Sequence, residues 1–284
     1  MMKFGANSFI WVSPFSNDRL DILDKVKAMG FDVFELALED PGLVDPGQVR
    51  DRLQQLGLGS TVCGVFGPMR DLSSEDASIR YSAFDYLCTL VNTAAAIGAG
   101  VVNGPMYSAV GKARLLPPAE RRAEWQRAVE GLRTAAAYAG ERGVRLAIEP
   151  LNRFETDMIN TAVQGLEMIE AVGAANLGLH LDTFHMHLEE KDSAAAIRLA
   201  GQRLFHFHAC ENDRGVPGAG QVHWQAVAQA LKQVDYQGAV VIESFTPDLE
   251  EIARAVCLWR PIAPDQDSIA REGLKFLKGL FESR

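Results

Sequence analysis

The chain has 284 residues, of which 48% are hydrophobic and 23% charged, a composition typical of a soluble globular enzyme with a substantial core. Its formal net charge of −9 argues against nucleic acid or an anionic membrane as a partner, because both require clustered lysine and arginine. There is no stretch of ~18 apolar residues and no amino-terminal signal pattern, so we expect a cytoplasmic protein. Four widely spaced cysteines without a CxxC pair predict neither a disulfide framework nor a zinc ribbon.

Short β-rich runs alternate with longer amphipathic runs along the chain, and this unit occurs eight times. The predicted strands span 3–9, 32–38, 58–65, 100–105, 144–150, 177–182, 203–209 and 239–245. The predicted helices span 18–30, 46–57, 75–98, 118–143, 161–173, 192–201, 222–234 and 248–260, followed by an additional helix over 265–283. Eight βα units favour an α/β fold, a (β/α)₈ TIM barrel forming a single catalytic domain over residues 1–284.

Three of the predicted helices end in a glycine, Gly30, Gly57 or Gly143, where a left-handed cap is expected. The first predicted strand is not followed by a GxGxxG sequence. Since that sequence is typical of dinucleotide-binding folds, we expect no nucleotide cofactor.

Each of the last four predicted strands ends on a residue type that binds metal ions. These residues are Glu149, Asp182, His208 and Glu243, each about one βα unit from the next. In a barrel the active site lies at the carboxyl ends of the strands, so the four side chains should converge. One acid at a strand end is often only a loop residue or a helix cap, but four in succession are harder to explain in that way.

Three carboxylates and one imidazole suit particular divalent ions. This set of ligands suits Mn²⁺, Co²⁺ or Mg²⁺, of which we expect Mn²⁺, whereas structural zinc sites favour sulfur and nitrogen. We therefore predict one divalent metal ion per subunit. A cation would also relieve the repulsion among carboxylates gathered at the mouth of an apolar barrel.

Two histidines occur in the seventh predicted strand, within 204-LFHFH-208. The alternation of side chains along a strand places His206 and His208 on one face, which can be the barrel interior. His208 is nearer the carboxyl end and is the better ligand, while His206 is expected to support the site from below. In the sixth unit, His180 should be similarly deep, and His185 lies just beyond Asp182 where it can reach a substrate.

The sequence is similar to the D-tagatose 3-epimerase family, the ketose 3-epimerases that include D-psicose (D-allulose) and L-ribulose 3-epimerases. The matching stretches are 149-EPLNRFE-155, 182-DTFHMHLEE-190, 206-HFHACENDRGVPGAG-220, 243-ESF-245 and 254-RAVCLWR-260, with weaker similarity at 4-FGANSFIW-11 and 30-GFDVFELAL-38. The resemblance implies a xylose-isomerase-like barrel that acts on a free ketose and forms a homodimer or homotetramer.

The resemblance also implies roles for individual residues. Glu149, Asp182, His208 and Glu243 would be the metal ligands, the same four that the strand ends select, and Glu149 and Glu243 would be the catalytic acid/base pair. Glu155, His185 and Arg214 would bind O1, O2 and O3 of the ketose. The expected reaction removes the C3 proton and returns a proton to the opposite face through a cis-enediolate.

Other functions are compatible with the same barrel. One is an aldose–ketose isomerase or a dehydratase of inosose type; another is a metal nuclease of the endonuclease IV type, which six histidines and the net charge of −9 disfavour. A non-catalytic sugar-binding barrel is a further alternative. The glycine-rich stretch 214–220 could hold a phosphate, but the resemblance favours a loop that closes over an unphosphorylated sugar.

The sequence leaves the preferred ketose open between a hexose and a pentose. The groups that would contact O4, O5 and O6 belong to the first four strand ends, where the resemblance is weakest. They are Asn7, Phe9, Trp11, Cys63, Phe66 and Pro105. Phe9, Trp11 and Phe245 could form an apolar wall, although strand aromatics are as often part of the core.

Overall fold

The computed structural model describes residues 2–245 and 247–282. Within these ranges eight parallel strands form a closed barrel in sequence order. The strands are β1 Lys3–Asn7, β2 Val33–Leu38, β3 Gly59–Gly64, β4 Val101–Gly104, β5 Arg145–Ile148, β6 Leu177–Asp182, β7 Leu204–His208 and β8 Ala239–Ile242. The barrel closes where β1 pairs with β8, with Phe4 opposite Val240. The fold class predicted from the sequence is confirmed.

The helices surround the barrel and connect its strands. They are α1 Asp21–Met29, α2 Pro46–Leu56, α3 Ala77–Ile97, α4 Pro118–Gly140, α5 Ala162–Val172, α6 Thr183–Glu189, α7 Ser193–Ala200, α8 Trp224–Gln233, α9 Glu250–Ala255 and α10 Gln266–Glu282. Short 3₁₀ turns span Ser8–Ile10, Asn17–Arg19, Pro41–Leu43 and Gly201–Arg203. None of the helices in the described ranges has the length and apolar character needed to cross a membrane.

The burial of three strands shows why these sequences form barrel strands. All six residues of β6, LGLHLD, and all four of β8, AVVI, are buried, as expected for parallel strands that are covered on both faces. Along β2 the side chains alternate: Phe34 and Leu36 join the large core beneath the helices, whereas Val33 joins a small cluster with Ala239 and Val241 of β8. The fold therefore has an apolar outer shell around a separate barrel interior.

The structure differs from the sequence-based prediction at some element boundaries. The helix predicted over 248–260 is only Glu250–Ala255, because the chain turns soon afterwards at Cys257, whose φ is 55°. The short helix α6 was not predicted as a separate element. Gly30 and Gly57 are left-handed caps as expected, whereas Gly143 has a φ of 68° in the turn after α4. The predicted end of the last helix, at 283, lies outside the described residues.

The additional helix α10 packs across the β1–β8 pairing that closes the barrel and against the loop that follows β7. Asp267 accepts hydrogen bonds from Trp11 Nε1 at 2.7 Å and Lys25 Nζ at 2.9 Å. Gly218 of the β7 loop, with a φ of 92°, lies so close to Phe276 that an added Cβ would be 2.6 Å from its ring. The extra helix therefore supports a loop at the carboxyl end of the barrel.

Candidate active site

The four strand-end residues come together at the carboxyl end of the barrel. Asp182 and His208 are the last residues of β6 and β7, and Glu149 and Glu243 directly follow β5 and β8. All four residues are buried, and none of them is more than 7% exposed. Nδ1 of His208 lies 3.6 Å from Glu243 Oε2 and 4.0 Å from Asp182 Oδ2.

Two observations indicate that these groups can hold a divalent cation: the types of ligand atom present and one buried nitrogen that lacks a hydrogen-bond partner. Ligand atoms of Asp182, His208, Glu243 and the neighbouring Cys210 all lie within 4.8 Å of one another, as do those of Glu149, Asp182 and His185. Nδ1 of His208 is buried and has no hydrogen-bond partner, and it faces the carboxylates. Oxygen ligands with one imidazole suit a hard or borderline divalent ion.

The electrostatics of the site reflect an excess of buried negative charge. Burial raises the pKa of Glu149 well above its usual range and also raises the pKa of Asp182. Burial acts in the same direction on Glu243, but the charge of the nearby His208 outweighs it and leaves the pKa of Glu243 lowered. Because neighbouring carboxylates disfavour one another's ionised forms, a cation at this position would be strongly attracted.

The predicted substrate-binding residues form a connected group beside the acids. The backbone N–H of Asn152 donates to His185 Nδ1 at 3.0 Å, and Asn152 Nδ2 donates to Glu155 Oε1 at 2.7 Å. Burial, and then the charge of Arg214, hold the pKa of His185 well below its usual range, so the ring is neutral. With Nδ1 accepting, Nε2 carries the proton and can donate it to a substrate oxygen.

Arg214 lies among the acids and two aromatic rings. Its Nη1 donates to Asp182 Oδ2 at 3.0 Å and to Glu243 Oε2 at 2.9 Å. The guanidinium carbon is 3.9 Å from the ring centre of Phe184 and 5.1 Å from that of Phe245. Stacking and ion pairing together fix this cation at the mouth of the site.

The loop that carries Arg214 is organised by Glu211, which was not predicted from the sequence. Its carboxylate accepts hydrogen bonds from Gly218 N at 2.8 Å, Val222 N at 3.0 Å and Trp224 Nε1 at 2.8 Å. Burial opposes ionisation, but these bonds outweigh it and lower the pKa of Glu211. A charged residue at the start of a glycine-rich loop was the available signal in the sequence.

A cavity of about 350 Å³ opens above these residues and is polar at one end only. Its inner end is formed by Glu149, Glu155, His185, Arg214 and Glu243, and its apolar walls include Phe9, Cys63, Phe66, Pro105, Phe245 and Ile252. The rings of Phe9 and Phe245 are 5.3 Å apart. Four of the six residues expected around O4 to O6 therefore line the cavity. Trp11 does not, because it binds Asp267, and Asn7 lies below the site.

Beneath the acids the barrel interior contains a polar layer centred on Glu35 of β2. Its carboxylate is fully buried and lies within hydrogen-bond distance of His206 and His208. Burial raises the pKa of Glu35, but the charges of His208 and His206 outweigh it and hold the pKa well below the usual range. His206 thus lies below the site, as predicted. Glu35 was not predicted from the sequence.

The comparison with known proteins extends over almost the whole chain. The model of the xylose isomerase-like TIM barrel family matches residues 23–280. A probable ketose 3-epimerase of Synechocystis sp. is 35% identical over 282 residues, which are 99% of this chain and 98% of that protein. A solved L-ribulose 3-epimerase is 32% identical, with a TM-score of 0.94, over 99% of this chain and 95% of its own. D-Allulose 3-epimerase of Methylomonas sp., solved in complex with D-allulose, is 30% identical with a TM-score of 0.91, over 98% of this chain and 96% of that chain.

The hydrogen bonds of Glu211 predict a pH-dependent contribution to stability. Replacing Glu211→Gln should lower the free energy of unfolding at neutral pH by about 1–3 kcal/mol, because charged hydrogen bonds inside the loop are lost. Because the pKa of Glu211 is lowered in the folded protein, its ionised carboxylate contributes its full stabilisation above the usual pKa of 4.5. That contribution to the free energy of unfolding is lost as the pH falls through the folded-state pKa. Urea unfolding of both proteins at neutral and acidic pH measures the difference.

The matched control is Glu272→Gln on the exposed face of α10, which should change stability little at either pH. The difference between wild type and Glu211→Gln should shrink in acid. A difference that is the same at both pH values would contradict the role given to the Glu211 carboxylate.

Proposed function

Because the chain belongs to the ketose 3-epimerase family of xylose isomerase-like TIM barrels, we propose that it inverts the configuration at C3 of a free ketose. The observation that carries the proposal is the placement of Glu149 and Glu243. They follow β5 and β8, so they enter the site from either side of the two intervening strands, which end at Asp182 and His208. Two carboxylates on opposite sides of one carbon are what epimerisation requires.

The reaction is a proton transfer at one carbon in each direction. One glutamate, as carboxylate, takes the C3 proton and leaves a cis-enediolate whose negative charge is shared by the oxygens of the ketose. The other glutamate, as carboxylic acid, returns a proton to C3 from the opposite face. The two side chains exchange roles in the reverse reaction, so the protein needs no redox cofactor.

We propose that Glu149, Asp182, His208 and Glu243 hold one divalent ion, with Mn²⁺ preferred over Co²⁺ or Mg²⁺. When bound, such an ion acts as a Lewis acid that stabilises negative charge on ketose oxygens. The support for this assignment is the unpartnered Nδ1 of His208, which faces the buried carboxyl groups of Asp182 and Glu243, with Glu149 close to Asp182. Each glutamate has two oxygens, so one oxygen can bind the ion while the other exchanges a proton.

The neighbouring residues would orient the sugar. His185 can donate from Nε2, which is 3.8 Å from Glu149 Oε1 and 3.4 Å from Arg214 Nη2. Arg214 supplies a fixed positive charge near the same point, and Glu155, positioned by Asn152, can accept a bond from a sugar hydroxyl. Donors that are already in place need no rearrangement as charge develops on the substrate.

The cavity supports an unphosphorylated ketose. Arg214 is the only lysine or arginine among its lining residues in the described ranges, and it is already paired with Asp182 and Glu243. A phosphate group would therefore find no further cation there. L-Ribulose and D-allulose, the sugars named for the two solved relatives, are the first substrates to test.

Substitution of either glutamate should stop the reaction. Glu149→Gln and Glu243→Gln each remove one proton-transfer group, and we expect turnover to fall by at least about 10²–10⁴-fold. Conversion of D-allulose and L-ribulose by each variant is measured by chromatography. In D₂O, wild-type turnover should also introduce deuterium at C3.

Glu39→Gln is the control for these two variants. Glu39 follows β2, and its carboxylate accepts hydrogen bonds from Ser13 rather than from a residue of the acid cluster. Its replacement should therefore leave turnover close to wild type. Full activity in either the Glu149 or the Glu243 variant would be incompatible with the two-carboxylate mechanism.

Removal of divalent metal should abolish turnover without unfolding the protein. After dialysis against a chelator, activity should return on addition of Mn²⁺, with Co²⁺ and Mg²⁺ compared at the same concentration. Circular dichroism shows whether the barrel persists. Undiminished activity in chelator-treated protein that elemental measurement shows to be metal-free would exclude the metal assignment.

The products distinguish epimerisation from the competing reactions on the same barrel. D-Fructose, D-tagatose, D-allulose and L-ribulose are each incubated with the Mn²⁺-loaded protein. The proposed function predicts the C3 epimer of at least one sugar and no net loss of water. Formation of an aldose would instead identify an aldose–ketose isomerase, and a dehydrated product would identify a dehydratase.

A further inference from the structure

We infer that Glu35 is a positioning residue for His208: by accepting the Nε2 proton, it directs Nδ1 of the ring toward Asp182 and Glu243. The inference rests on the proposed function, since it assigns His208 to a metal ion. It adds a residue from β2, on the other side of the barrel from β7, to a site whose ligands all belong to β5 through β8.

The contacts between Glu35 and the histidines are short and fully buried. Oε1 of Glu35 is 2.5 Å from Nε2 of His208, and Oε2 is 2.7 Å from Nε2 of His206. Glu35 and His208 are completely inaccessible to solvent. One carboxylate thus contacts both histidines of β7, each through a different oxygen, and the contact with His208 has the geometry of a hydrogen bond.

Three further side chains fix the carboxylate itself. Asn7 Nδ2 donates to Oε1 at 2.8 Å, and Thr61 Oγ1 and Asn103 Nδ2 donate to Oε2 at 2.7 and 2.8 Å. The strand register places Asn7, Glu35 and Thr61 at the same level of β1, β2 and β3. Both carboxylate oxygens therefore face only donors, and Glu35 cannot turn away from His208 without leaving them unsatisfied.

This arrangement determines which nitrogen of His208 is available to a metal ion. An imidazole that donates from one nitrogen offers the lone pair of the other. With Nε2 committed to Glu35, Nδ1 remains; it is buried, has no hydrogen-bond partner and faces Glu243 and Asp182. A carboxylate that accepts from the outer nitrogen of a ligand histidine fixes its orientation and increases its basicity.

His180 restrains the same ring by packing. Its ring centre lies 4.1 Å from that of His208 and 4.9 Å from that of His206, in edge-to-face contact. Both contacts occur in the fully buried barrel interior. Rotation of the His208 ring is thereby opposed by His180 from one side and by the hydrogen bond to Glu35 from the other.

The test is the affinity of the metal-free protein for Mn²⁺, which does not depend on turnover. In Glu35→Gln the NH₂ group of the amide must face the donors that one of the two carboxylate oxygens now accepts from. The negative charge next to Nε2 of His208 is also lost. We expect the Kd for Mn²⁺, measured by isothermal titration calorimetry at constant pH, to rise about 10- to 100-fold. A purely structural role would lower stability and leave the Kd of the folded protein unchanged.

A second variant covers the case in which Glu35→Gln does not fold. Thr61→Val keeps the shape of the side chain and the carboxylate but removes one hydrogen bond that holds it, so it should raise the Kd by a smaller factor, at least about twofold. The matched control is Glu39→Gln, which replaces the glutamate directly after β2. This variant should bind Mn²⁺ like wild type.

¹⁵N-histidine NMR of the Zn²⁺-loaded protein shows which nitrogen of the His208 ring is protonated. Wild type should show His208 protonated at Nε2, with that proton protected from exchange, and Glu35→Gln should lose the protection. Unchanged Mn²⁺ affinity and an unchanged Nε2 proton in the folded variants would overturn the positioning role. Absence of Mn²⁺ binding by wild type would overturn the metal assignment in the proposed function first, and the role of Glu35 with it.

Discussion

The site depends on one constraint, the burial of several carboxyl groups at the same end of a parallel barrel. All eight strands run in one direction, so residues at their carboxyl ends meet irrespective of their separation in the sequence. Glu149, Asp182 and Glu243 meet in this way with almost no access to water. Arg214 and His208 contact Asp182 and Glu243, and the imidazoles of His180 and His185 lie beside Glu149. The rest of the site is organised around this charge.

Stability and function occupy different radial layers of the same strands. On β2 the outward side chains Phe34, Leu36 and Leu38 belong to the large core under the helices, while Glu35 points inward between them. An unsatisfied polar group in such an interior costs about 1–3 kcal/mol. The hydrogen bonds from Asn7, Thr61 and Asn103 offset that cost, so the outer shell can stabilise the barrel while the interior holds ionisable groups.

Local sequence pattern and strand direction were sufficient to predict the barrel and the convergence of its strand ends. All eight strands were found, with β5 and β8 ending one residue before Glu149 and Glu243, and the convergence of the four strand-end residues required only a barrel. Glu35 was missed because its partners come from several other strands, which no local pattern reveals. A single charge inside the apolar run 33-VFELAL-38 was nevertheless a signal, because a buried charge needs a partner. Glu211 was missed for a similar reason, since its partners lie 7 to 13 residues further along a loop.

The asymmetry of the cavity bears on how the proposed ketose would be selected. The polar groups are concentrated at the end that would hold C1 to C3, and the opposite walls offer aromatic and aliphatic side chains such as Phe9, Phe66 and Ile252. An apolar wall discriminates weakly between substrates that differ by one carbon: their kcat/KM values differ by only about 10- to 200-fold. Dedicated hydrogen bonds to the substrate can give a ratio of about 10⁴ or more. Discrimination between a hexose and a pentose would therefore depend on size and fit at the outer end. The configuration at C3 would be controlled at the inner end, where the proposed function has Glu149 and Glu243 on either side of the reacting carbon.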